Sequence, residues 1–109
     1  LFHEYMVNTW RNFFENITFI DDNGNNNYEI SEIFVLNNYK RNKIGKEVVV
    51  KVFDMYKGNW TIKAVPNSKV AESFWKMVVK DYTNNNYIEK YTGKYNRLEI
   101  YFSNGDLYD

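Results

Sequence analysis

The stretch EISEIFVLNNYKRNKIGKEVVVKVFDMYKGNWTIKAV, Glu29 to Val65, decides the fold of this chain. It opens with EISEIFVL, which is rich in β-branched and aromatic residues, and continues through a polar, basic segment with one glycine. Apolar residues then recur at helical spacing in EVVVKVFDMY and alternate with polar residues in NWTIKAV. This order predicts a strand, a loop, a helix and a second strand parallel to the first, which together form a right-handed crossover unit.

The predicted loop of this unit spans Asn37 to Lys43, and the predicted helix spans Gly45 to Tyr56. A helix N-terminus carries unpaired backbone N–H groups and a partial positive charge, so the junction is a candidate anion site. Basic side chains cluster there: Lys40, Arg41, Lys43 and Lys46. The plain alternative is a charged loop that faces solvent and binds nothing.

Composition limits the classes of function. The 109 residues form one domain, 1–109, and an aromatic fraction of 19% is enough for a substantial core. A formal net charge of zero argues against an extended nucleic-acid surface. The chain has no cysteine, and its one histidine is His3, which argues against thiolate chemistry and histidine-based metal sites or triads. No apolar run reaches the roughly 18–20 residues of a membrane span, so we expect a cytoplasmic protein without a leader.

The rest of the chain completes an α/β fold with a mixed sheet in the order α-β-β-α-β-α-β-β. Asn-Gly within the predicted turn 21–27 favours a hairpin between the second and third elements. Asn67 and Ser68 are polar residues able to cap the last predicted helix. The remaining predicted elements are a helix at 1–14, strands at 16–20, 28–36 and 60–65, a helix at 69–82, and a hairpin of strands 87–91 and 97–102.

The periodicity also predicts which helical residues are buried. For the crossover helix these are Val48, Val49, Val52, Phe53 and Tyr56, with Ile44 packing at its N-terminal end. For the second helix they are Val70, Phe74, Met77 and Val78.

Three segments in this order resemble the GNAT superfamily of acetyl-CoA-dependent N-acetyltransferases. VLNNYKRNKIGK, residues 35–46, is similar to the family's strand-to-loop pattern. GNWTIKAV, residues 58–65, is similar to the strand that follows. AVPNSKVAESFWKMVVKDYTNNNYIE, residues 64–89, is similar to the later strand and helix of bacterial members. The resemblance covers about residues 28–102.

The resemblance implies a binding site for acetyl-CoA. Backbone N–H groups from Arg41 to Lys46 would bind the pyrophosphate, with Gly45 allowing close approach. The pantetheine arm would pair with the strand backbone near Phe34, Val35 and Leu36. The cofactor-binding residues that it implies are Phe34, Val35, Leu36, Lys40, Arg41, Asn42, Lys43, Ile44, Gly45, Lys46 and Ser68.

The resemblance also implies a carboxylate that deprotonates the acceptor amine. Glu32 and Glu29 lie on the strand before the loop, and strand alternation puts them on opposite faces. Glu32 ranks first because it lies nearer to the residues that would pair with the cofactor.

The chain departs from the family in ways that bear on activity. Lys43 stands at the loop's usual first glycine, where a positive φ would cost about 1–2 kcal/mol. Trp75 stands where many members have a tyrosine that protonates the leaving thiolate, and an indole is not a general acid. The front section is short, which suggests a fragment or favours a homodimer that completes the domain.

Two functions stay open at this stage. One is an active N-acetyltransferase acting on a primary amine of a small molecule or peptide. The other is an inactive remnant of the fold that serves as a CoA-binding or protein-interaction module. A nucleic-acid role for the basic cluster is disfavoured by the zero net charge.

Overall fold

A computed structural model describes residues 17–22, 25–31 and 39–105 of the chain. The predicted helix at 1–14 lies outside these residues. The order of the remaining elements is the predicted one. They are β1 (Ile17–Asp22), β2 (Asn25–Ser31), α1 (Tyr39–Met55), β3 (Asn59–Lys63), α2 (Lys69–Thr83), β4 (Ile88–Thr92) and β5 (Arg97–Ser103).

The strands form one five-stranded sheet in the order β1-β2-β3-β5-β4. β2 and β3 are parallel, whereas the pairs β1/β2, β3/β5 and β4/β5 are antiparallel. α1 is the crossover between the two parallel strands, since a parallel pair cannot be joined by a tight turn. The predicted mixed sheet with both hairpins is therefore confirmed.

The core lies between one face of this sheet and both helices. Alternate residues of the central strands are buried there: Tyr28 and Ile30 of β2, Trp60 and Ile62 of β3, and Leu98, Ile100 and Phe102 of β5. The helices contribute Val48, Val49, Val52, Phe53, Ala71, Phe74, Trp75, Val78 and Val79. All of these side chains belong to one hydrophobic cluster, so the described residues form two layers with the opposite face of the sheet left to polar side chains.

The predicted loop at 37–43 is wrong from Tyr39 onward, because α1 already begins there. The segment YKRNK contains neither proline nor glycine, and lysine and arginine are good helix formers. Its polarity indicated a loop, but a helix whose first turns are polar gives the same composition.

The predicted turn at 21–27 is also too long. Asp21 and Asp22 pair with Asn26 and Asn25 in the hairpin ladder, so the strands extend into the polar segment. Backbone pairing between neighbouring strands outweighed the low strand propensity of Asn and Asp.

The buried face of α2 differs from the predicted one. Val70 and Met77 are 42% and 41% exposed, whereas Ala71, Trp75 and Val79 are buried. The buried positions follow the spacing i, i+3, i+4, i+7, i+8 from Ala71, a stripe turned by about one residue from the predicted one. The predicted burial of Phe74 and Val78 is confirmed.

Candidate functional site

Both helices begin at the same edge of the sheet. β2 and β3 are parallel, and each is followed by a helix that packs on the same face. Gly45 lies next to Phe74, and the Tyr82 hydroxyl donates to the Asp54 carboxylate at 2.8 Å. The two contacts are nine residues apart on α1 and eight residues apart on α2, in the same chain order, so α1 and α2 run in the same direction. Their partial positive charges add at the carboxyl edge of β2 and β3, which is the candidate anion site.

Residues 39–43 of the predicted basic loop form the first turns of α1. The backbone of Lys40, Arg41, Asn42, Lys43 and Ile44 is helical. The N–H groups of the first turn have no acceptor within the helix, whereas those further along donate to the carbonyl four residues earlier. Lys40, Arg41 and Asn42 therefore lie at the end that an anion can approach, and Lys43 needs no positive φ.

Gly45 lies in the interior of α1 and faces α2. A Cβ built at this position would be 3.4 Å from Cζ and 3.5 Å from Cε1 of Phe74. The Phe74 ring therefore packs against the helix at Gly45, with room for a methyl group between them. The contact with Phe74 gives a second possible reason for a glycine at this position, besides the predicted close approach of a phosphate.

Lys46 forms an ion pair across the two helices. Its ammonium nitrogen lies 2.7 Å from an Asp81 carboxylate oxygen, and both side chains are partly exposed. Asp81 lies near the C-terminal end of α2, so Lys46 extends away from the edge where the helices begin. The sequence predicts that Lys46 contributes to the anion site, whereas in the structure its ammonium group is paired with the Asp81 carboxylate.

Ser68 caps α2, as the sequence predicts. Its Oγ accepts a hydrogen bond from the Ala71 N–H at 3.1 Å, and Ser68 has extended backbone angles. Asn67, immediately before it, has a φ of 61°, a left-handed conformation that asparagine tolerates. The Ser68 hydroxyl keeps a proton to donate, so a ligand at this edge can still bind to it.

Glu29 lies on the polar face of the sheet, away from the helices. One of its carboxylate oxygens is 3.1 Å from Lys63 Nζ, and the other accepts a hydrogen bond from the Ser31 hydroxyl at 3.1 Å. Both oxygens therefore already have partners. Glu32, Phe34, Val35 and Leu36, the other predicted residues of this strand, lie outside the described residues.

The same polar face carries a cluster that the sequence prediction missed. Glu99 accepts hydrogen bonds from the Thr92 hydroxyl at 2.5 Å and from the Tyr101 hydroxyl. These two bonds lower the pKa of Glu99, with Lys63 and Lys90 adding smaller effects. The bond to Glu99 and partial burial raise the pKa of Tyr101 to about 12.

The alternation of RLEIYFS could have identified this cluster, since it places Arg97, Glu99 and Tyr101 on one face of β5. Lys63 of β3 lies directly opposite Glu99, and Glu29 of β2 bonds to Lys63. The polar face is therefore a continuous row of paired charges across three strands. Within the described residues, no group of three acidic, histidine or cysteine side chains is placed to hold a metal ion.

A cofactor with a phosphate group fits the carboxyl edge in part. The backbone N–H groups of the first turn of α1 and the Ser68 hydroxyl are suited to an anion. Gly45 and Lys46 contribute little, because one packs on Phe74 and the other is paired with Asp81.

Comparisons of the chain with protein-family models, curated proteins and solved structures find no match. The fold and the geometry of the site are therefore the basis for the function. Among the described residues, no helix combines the length and apolar character needed to cross a membrane.

Proposed function

We propose that the chain is an acetyl-CoA-dependent N-acetyltransferase that transfers the acetyl group to a primary amine. The observation that carries the proposal is the common direction of α1 and α2, which brings two helix N-termini to the edge where the parallel strands β2 and β3 end. Such an edge is the usual place for an anionic ligand in sheets of this kind. The resemblance of residues 28–102 to the GNAT superfamily supports acetyl-CoA as the ligand.

In this proposal the pyrophosphate binds at the first turn of α1. The backbone N–H groups near Arg41 and Asn42 donate to it, and Lys40 and Lys43 add positive charge. The pantetheine arm pairs with the backbone of residues 34–36, and the Ser68 hydroxyl donates to the cofactor.

The acceptor amine needs a base, and Glu32 is the first candidate. Glu29 is the second, and it would have to exchange its contact with Lys63 for one with the amine. A homodimer that completes the short front section remains part of the proposal, and sedimentation of the protein tests it.

A non-catalytic module of the same fold is the second candidate. It would bind CoA or a protein without transferring an acetyl group. The ion pair between Lys46 and Asp81 and the two occupied oxygens of Glu29 favour it, because residues expected at the reaction site are committed to structural contacts.

Acetyl-CoA binding tests both candidates at once. Millimolar acetyl-CoA should raise the melting temperature by mass action, and Arg41→Gln should reduce the rise. Lys80→Gln is the matched control, since Lys80 is exposed and lies in the last turn of α2, at the opposite end of the helices. A melting temperature unchanged by acetyl-CoA would contradict the enzyme and the CoA-binding module, and would leave only a module that binds a protein.

Release of free CoA in the presence of an amine panel then separates the two candidates. The enzyme releases CoA with at least one amine, and Glu32→Gln should lower that rate at least tenfold. Binding of acetyl-CoA without release of free CoA in the presence of any of the amines would favour the non-catalytic module.

A further inference from the structure

A concavity of about 450 Å³ opens on the polar face of the sheet, far from the carboxyl edge of β2 and β3. It lies where β3 and β4 begin and where β5 ends, so it is at the opposite end of β3 from Ser68. Its volume falls within the range of roughly 300–1,000 Å³ that is usual for small-ligand sites. Its lining residues are Asn59, Trp60, Thr61, Asn86, Tyr87, Ile88, Tyr101, Phe102 and Ser103.

The lining carries no charged side chain. The Tyr101 hydroxyl donates to Glu99, and the Lys90 ammonium lies over the Tyr101 ring, 5.0 Å from its centroid; neither Glu99 nor Lys90 lines the concavity. An ionised ligand would lose part of its hydration without gaining a counter-charge from the lining itself, which is unfavourable. The ligand that fits is therefore neutral.

Several neutral polar groups of the lining are available to a ligand. The side chains of Thr61, Asn86, Tyr87 and Ser103 form no hydrogen bond with another residue in the part of the chain that the structure describes. Three are hydroxyls and one is an amide, so each can both donate and accept. The Asn59 amide, by contrast, donates to Asn27 at 3.0 Å.

An apolar surface lies beside these groups. Ile88 is 64% exposed and lines the concavity. The half-buried rings of Tyr87 and Tyr101 complete the walls. Hydroxyl and amide groups next to aromatic and aliphatic surface match a ring that has hydroxyls at its rim and C–H groups on its faces.

We propose that this concavity binds a neutral saccharide. The sugar hydroxyls exchange hydrogen bonds with Thr61, Asn86, Tyr87 and Ser103, and a C–H face of the ring packs on Ile88. The site does not depend on the proposed acetyl-CoA site, because the two share no residue.

The test is a titration of the full chain, isotopically labelled, with cellobiose, maltose and N,N′-diacetylchitobiose, followed by amide chemical shifts. At least one disaccharide should give saturable shifts at Thr61, Tyr87 and Ile88 in the millimolar range. The double variant Thr61→Val with Ser103→Ala should weaken binding at least about tenfold, since two hydrogen bonds are lost. Ser73→Ala, on the exposed part of α2, is the control and should leave the affinity unchanged.

Two results would overturn the proposal. One is the absence of shifts at these residues with all three disaccharides while the protein is folded. The other is an equal affinity in the double variant and in Ser73→Ala. Ser103 is exposed and valine matches threonine in shape, so the double variant should fold, and its amide spectrum shows whether it does.

Discussion

Gly45 of α1 faces the ring of Phe74 of α2. A Cβ at Gly45 would stand 3.4 Å from the Phe74 ring, which is an ordinary van der Waals contact. Phe74 is only 8% exposed, so its ring has little room to move away. The position therefore accepts one methyl group and no more.

Gly45→Ala should stabilise the protein by about 0.5–1 kcal/mol, because glycine in a helix interior is costly relative to alanine. Gly45→Leu should destabilise it by about 1–3 kcal/mol, since the larger side chain must displace the Phe74 ring. Urea unfolding of the two variants measures both effects. If Gly45→Ala folds well but loses acetyl-CoA binding, the glycine has a role at the cofactor that packing does not explain.

Gly58 is required for a different steric reason. A Cβ there would lie 2.2 Å from the carbonyl oxygen of Asn26, so the start of β3 could not stay next to β2. Gly58→Ala should cost about 3 kcal/mol or more in unfolding free energy. Gly93→Ala is the matched control. It has a φ of 78° but open space around it, so it should cost only about 1–2 kcal/mol. Equal losses in urea unfolding would show that contact with Asn26 is not the cause.

Asn104 holds the C-terminal end of α1 to β5. Its amide nitrogen donates to the Phe53 carbonyl at 2.7 Å, and its amide oxygen accepts from the Gly58 N–H at 2.9 Å. Asn104→Ala should lower the unfolding free energy by about 2 kcal/mol, because both backbone groups lose a partner. Asn59→Ala, an exposed amide with one side-chain contact, should change it by less than about 0.5 kcal/mol. Thermal and urea unfolding of both variants measure the difference.

The bond between Tyr101 and Glu99 makes stability depend on pH. The pKa of Glu99 is lowered on folding, so its contribution is present above the unfolded pKa and is lost as the pH falls through the folded pKa. Tyr101→Phe removes one of the two bonds that lower this pKa. It should therefore cost about 1 kcal/mol at neutral pH and less at about pH 3.

At alkaline pH the dependence of stability on pH has the opposite sign. The pKa of Tyr101 is raised to about 12, so its contribution is present below the unfolded value of 10.0 and is lost as the pH rises through about 12. Absorbance titration of the tyrosines should lose a late-titrating group in Tyr101→Phe. Tyr95→Phe, at an exposed turn, is the control for both measurements, and equal effects of the two variants would contradict the role of Glu99.

The sequence was sufficient for the order of the described elements and for the mixed sheet, because hydrophobic period and turn chemistry act locally. The start of α1 was predicted too late, at Gly45 instead of Tyr39, since a polar first turn of a helix and a basic loop have the same composition. It also misassigned Val70 and Met77, because apolar character alone does not say which side of a helix meets the sheet. The partners of Gly45 and Lys46 come from α2, about thirty residues away, and local patterns carry no information about such contacts.

The ion pair between Lys46 and Asp81 bears on the stability of the helix pair and on the candidate anion site. Both side chains are partly exposed, so a double-mutant cycle with Lys46→Gln and Asp81→Asn should give a coupling energy below about 1 kcal/mol that falls as salt is added. Because Lys46 extends toward the C-terminal half of α2, Lys46→Gln should also leave acetyl-CoA affinity within about twofold, whereas Arg41→Gln should lower it about tenfold or more. Calorimetric titration of both variants measures this contrast. A loss in Lys46→Gln as large as that in Arg41→Gln would mean that Lys46 exchanges Asp81 for a cofactor phosphate on binding.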